Sequence, residues 1–120
     1  MQAFNWTIQV GSQETASFLF QNPDGTPYNI VGFTWEYVVR LDGTDSSVTP
    51  LIKLTTTPNS QGAITVNTGT ATVAVTLNPA ATATLPVRQL YAHALWGNPG
   101  TTTATPWVSG QFLTTAVAQP

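Results

Sequence analysis

The chain has no cysteine, a single histidine and only three basic residues in 120 positions, and 7% of its residues are charged, against about 25% in an ordinary soluble domain. Without cysteine there is no disulfide framework and no thiolate metal site. The fold must stand on its hydrophobic core, for which 120 residues suffice, and one domain spanning 1–120 is expected. Arg40, Lys53 and Arg88 stand singly, so no basic stripe exists to neutralise a run of phosphates, and nucleic acid is not an expected partner. No stretch approaches the ~20 apolar residues of a membrane span, and MQAFNWTIQVGSQ offers neither a positive leader nor a continuous apolar run. A leaderless chain with no membrane partner is the expectation. Solubility falls to hydroxyl and amide side chains, threonine above all.

What is there is β-structure. Asn22-Pro23-Asp24-Gly25 is a turn with a mechanism: proline fixes φ, an acidic side chain can bond its own backbone, and glycine tolerates positive φ. After Gly32, residues Phe33, Trp35, Tyr37, Val39 and Leu41 alternate with Thr34, Glu36, Val38 and Arg40, which predicts a strand with one buried face. Further strands are expected over 4–10, 14–20, 51–57, 63–66, 71–77, 88–96 and 106–117, punctuated by Gly11-Ser12, Asp42-Gly43, Pro58 to Gly62, Asn67-Thr68-Gly69 and Gly97 to Gly100. Ala16, Phe18 and Phe20 share one face, and Ala71, Val73, Val75 and Leu77 form an inward set. NPAATATL, from Asn78, breaks the pattern. Asn78 reads as an N-cap and Pro79 as the first residue of one short helical turn crossing between sheets. The strand from Arg88 is apolar on both faces, so it is central or uses one face for association. The fold class is an all-β antiparallel sandwich of about seven to eight strands with one helical crossover, and the ending AVAQP reads as a loose tail or an exit towards a neighbour.

Reactive groups are sparse. His93 would need a serine or threonine nucleophile and an orienting Asp24, Asp42 or Asp45, but it sits mid-strand between alanines without a nucleophile elbow, so a packed or interface histidine is the better reading. Glu14 and Glu36 would have to meet to act as a glycosidase pair, and nothing in the sequence brings them together. Asp42-Gly43-Thr44-Asp45 lacks the ligand count of a calcium loop. No catalytic, metal or cofactor residue is therefore assigned. Four tryptophans are many for this length. Trp35 shares its face with Phe33 and Tyr37 and is read as core, whereas Trp6, Trp96 and Trp107 fall near strand ends or on second faces. Such rings either anchor a protein interface or stack on sugars. Phe4, Trp6, Leu90, Trp96 and Trp107 are the interface candidates.

Gly11-Ser12-Gln13-Glu14, then Asp24-Gly25-Thr26-Pro27, then Asn29-Ile30-Val31-Gly32 leading into Phe33 to Arg40, make an ordered set of motifs. Thr82 to Leu85 followed by Tyr91, and Ser109-Gly110-Gln111-Phe112, continue it. The set resembles the small immunoglobulin-like domains of tailed-bacteriophage virions, and is similar to the N-terminal module of phage baseplate upper proteins. It departs from them where Arg88 and Gln89 stand in place of a glycine shortly before the tyrosine. The resemblance implies an immunoglobulin-like sandwich and a non-enzymatic virion protein, made in the host cytoplasm, that docks on the tail or baseplate, or decorates the capsid. Its implied partners are other virion structural proteins in a symmetric or multi-copy assembly. The reading from another class is a carbohydrate-binding module for cell-surface adsorption, with Trp6, Trp96 or Trp107 as the stacking platform.

Overall fold

Alternating side chains become strands wherever the sequence shows the pattern. The computed structural model describes residues 2–41, 43, 47–87, 89–116 and 118. Its strands are β1 (Gln2–Ala3), β2 (Trp6–Gln9), β3 (Glu14–Leu19), β4 (Trp35–Arg40), β5 (Ile52–Thr55), β6 (Gly62–Asn67), β7 (Thr72–Leu77), β8 (Leu90–Gly97) and β9 (Thr105–Thr115). One helical turn, α1 (Pro79–Thr82), lies between β7 and β8. Two sheets face each other: a six-stranded one in the order β1-β9-β8-β4-β5, with β2 also on β9, and a three-stranded one in the order β3-β7-β6. This is an all-β sandwich with immunoglobulin strand order, in which the sheet path β9-β8-β4-β5 opposes β3-β7-β6. The count is nine among the described residues, above the seven to eight expected, because a short β1 precedes the break at Phe4 and Asn5. Of the expected Asp42-to-Asp45 turn only Gly43 is described. Arg88, Val117, Gln119 and Pro120 also lie outside the described residues.

The core forms between the two inner faces. Ala71, Val73, Val75 and Leu77 are all fully buried, and across them stand Trp35, Tyr37, Val39, Leu95, Val108 and Phe112. One corner feature fits the immunoglobulin plan. Tyr91, at the start of β8, donates its hydroxyl to the Pro86 carbonyl at 3.4 Å, and Thr114 donates to the same oxygen at 2.7 Å. Thr82 is fully buried in α1, accepts the Gly11 N–H at 3.0 Å and donates to the Ser12 carbonyl at 2.9 Å. It thereby ties the crossover to the β2–β3 turn. Pro79 opens the helix as expected, but the Asn78 side chain makes no cap. The Asn78 carbonyl accepts from Ala81 and Thr82 instead, while its side-chain amide reaches the Ser60 carbonyl.

The N-terminal strands run parallel to β9 in one continuous register, Ala3 beside Ser109 and Trp6 beside Phe112. Between them the Phe4 carbonyl leaves the ladder and turns inward to accept from His93 Nε2 at 2.7 Å. Gly110 makes that possible: a Cβ there would stand 2.8 Å from the Phe4 carbonyl carbon and 2.9 Å from Asn5 Oδ1. Asn5 Oδ1 in turn accepts the Gln111 N–H at 3.0 Å, replacing a main-chain partner.

Candidate docking surface

The inner face of β8 is committed to the core, so chemistry must be sought on its other side. His93 is 3% exposed, with the rings of Phe4, Trp6, Tyr37 and Phe112 at centroid distances of 5.7 to 6.5 Å. A carbonyl can only accept, so Nε2 carries the proton towards Phe4 and Nδ1 accepts from the Tyr37 hydroxyl at 2.9 Å. Burial holds the imidazole below its ordinary pKa, partly opposed by the Phe4 bond, and pushes the Tyr37 phenol well above its own. Both ring nitrogens are thus engaged, with the Tyr37 hydroxyl and the Phe4 carbonyl. It is a satisfied core histidine that anchors the N-terminal segment. The two glutamates stand on different sheets. Glu14 accepts from Gln9 N–H and Ser12 at the β2–β3 turn, and Glu36 pairs with Lys53 at 3.8 Å.

The outer face of β4, β8 and β9 carries the surface of interest. Val38 is 7% exposed yet lies outside the inter-sheet core; its register neighbours are Lys53 and Ala94. Residues from the two flanking connections border this face. Gly43, between β4 and β5, lies so close to Ala92 that a Cβ would stand 2.9 Å from the Ala92 methyl. Pro99, Gly100 and Ala104, between β8 and β9, border the Trp96 end. The result is a trough of about 590 Å³ floored by Val38, Ala92, Ala94 and Trp96, within the size range of binding clefts. Two charged residues border the floor: Glu36, opposite Trp96, pairs with Lys53, and Arg40, opposite Ala92, donates to the Val48 carbonyl. Beyond the Ala92 end, Leu90 and Leu113 are cross-strand partners, 50% and 37% exposed. An uncharged stripe thus runs from Leu90 and Leu113 through Ala92 and Ala94 to Trp96.

The five interface candidates separate. Leu90 and Trp96 share this stripe. Trp6 does not: it is 7% exposed, facing Tyr37 and Phe112, because the parallel register on β9 turns it inward. A position near a strand end makes Trp6 an interface candidate in the sequence, but pairing with β9 buries it. Phe4 is half-buried against Phe18, also on the core side. Trp107 is half-buried at the loop end of the sandwich, against Phe20, Phe33 and Tyr28. Val38 and Leu113 are the members that sequence reading missed. Val38 stood on the strand's polar face, and Leu113 becomes a neighbour of Leu90 only through the β8–β9 register.

No protein-family model matches the chain, and no curated protein matches it by sequence.

Proposed function

We propose that this chain is a non-enzymatic structural or accessory protein of a bacteriophage particle that docks on the tail or baseplate through the outer face of β4, β8 and β9. The observation that carries the reading is the apolar stripe from Leu90 through Ala92 and Ala94 to Trp96, with Val38 beside it on the floor of one trough. A run of apolar side chains ending in a large aromatic, with the charged Glu36 and Arg40 beside it, has the pattern of an interface core with a polar rim. The virion setting rests on the resemblance carried by Gly11 to Glu14, Asp24 to Pro27 and Asn29 to Arg40, and on the immunoglobulin strand order. Single weak contacts on such a face become stable occupancy when symmetry repeats them.

Quantitative mass spectrometry of purified particles tests this directly. Copy number matching the baseplate components is the expected result. A copy number matching the major capsid protein would move the docking site to the shell, as a decoration protein. Absence of the chain from particles would overturn the proposal.

A further inference from the structure

The loop end of the sandwich holds a second concavity, away from the docking stripe and independent of the function proposed above. It is a cleft of about 170 Å³ lined by Gln2, Phe20, Gln21, Tyr28 and Trp107, room for some five or six waters at ~30 Å³ each. Its shape is built in. Residues 20–28 form a small hairpin closed by the Gln21–Pro27 bridge, with Tyr28 N–H donating to the Phe20 carbonyl at 3.0 Å and Asn22 N–H to the Thr26 carbonyl at 2.8 Å. Asp24 Oδ1 accepts both the hydroxyl and the N–H of Thr26, which holds its carboxyl below the usual range and locks the tip. Tyr28 is thereby presented without a loose loop beneath it.

Trp107 is fixed from the other side. It packs on Phe20 at 5.3 Å, and Gly97 opposite leaves space where a Cβ would stand 2.7 Å from the indole Cδ1. The Tyr28 and Trp107 rings, with centroids 5.3 Å apart at 56°, pack against each other and form one continuous apolar wall of the cleft. Gln2 donates one amide hydrogen to the Leu19 carbonyl at 2.9 Å, which orients the group and leaves its oxygen as an acceptor. The Gln21 side chain and the Tyr28 hydroxyl make no hydrogen bond among the described residues, and no charged side chain lines the cleft.

The geometry points to a binding subsite for one ring of a neutral sugar, its apolar C–H face against Trp107 or Tyr28 and its hydroxyls on the Gln2 and Gln21 amides. Each part of that chemistry matches the lining. Aromatic rings accept an apolar face while amides supply paired donors and acceptors, and the absence of charge disfavours anionic ligands. The preformed hairpin lowers the ordering cost of binding.

The test is a two-dimensional amide NMR titration of the full chain with methyl glucoside, methyl galactoside, methyl mannoside, rhamnose and N-acetylglucosamine in turn. At least one sugar is expected to give saturable shifts at the Trp107 indole and the Gln2 and Gln21 side-chain amides, with a dissociation constant of about the millimolar order. Tyr28→Ala, at an exposed position, should weaken that binding at least about fivefold, and Gln21→Ala, which keeps both rings, by about threefold or more. Ala94→Arg, in the docking trough, should leave it unchanged. No saturable shift with any of these sugars, or shifts that persist undiminished in both cleft variants, would overturn the assignment.

Discussion

Gly110→Ala is expected to detach β1 and β2 from β9 and to lower the melting temperature by roughly 10 °C, a destabilisation of about 2–4 kcal/mol. The new methyl would occupy the space that the Phe4 carbonyl uses on its way to His93. β9 lies between the N-terminal strands and β8 in its sheet and cannot move without disturbing β8, so the N-terminal segment has to give way. Losing it breaks the Phe4 bond to His93 and the Asn5 bond to Gln111, and uncovers Trp6. Hydrogen exchange should show the amides of Trp6 to Gln9 losing protection while those of β7 keep it. A melting temperature within about 2 °C of wild type would contradict this role for Gly110.

His93→Leu approaches the same junction from inside and should cost about 2–5 kcal/mol, because it leaves both the Tyr37 hydroxyl and the Phe4 carbonyl buried without a partner. Its signature is in the pH dependence. Burial keeps the imidazole pKa of the folded chain below 6.5, so below that pH the unfolded chain binds a proton that the folded chain refuses. This contribution to stability is complete above about pH 6.5 and is lost as the pH falls from there towards the lowered folded value. Asp24 acts in the same direction but lower, its contribution being present above 3.8 and lost as pH drops through its depressed folded value. Urea midpoints across the acid range should therefore fall below pH 6.5 in wild type and stay flatter in His93→Leu until the carboxylates titrate. Equal acid slopes in the two proteins would remove His93 from this account.

Much of the sandwich could be read from the sequence because its signals are local. The inward set from Ala71 to Leu77 and the Asn22-to-Gly25 turn depend on spacing and turn chemistry within a few residues, and both appear as expected. The N-terminus was harder. Alternation gave Phe4 to Val10 as one strand, but pairing with β9 is a long-range choice, and it is this pairing that buries Trp6 and turns the Phe4 carbonyl inward. The candidate surfaces are long-range in the same sense. Val38 looks like a misplaced apolar residue on a polar face until the register sets it beside Ala94 on the trough floor. Tyr28 sits in a loop with no pattern of its own, and Gln2 joins it only because the first strand runs along β9 beside Trp107.

The docking claim turns on the trough floor, where Ala94 is partly exposed beside Val38 and far from the core contacts. Particles assembled with Ala94→Arg should carry at least about tenfold fewer copies of the chain than wild-type particles, since an unpaired charge and a long side chain placed on the apolar floor cost ~1.4 kcal/mol or more. The purified variant should keep its melting temperature, and Thr65→Arg, on the outer face of the three-stranded sheet, should incorporate normally. Wild-type occupancy of Ala94→Arg on particles would contradict the account.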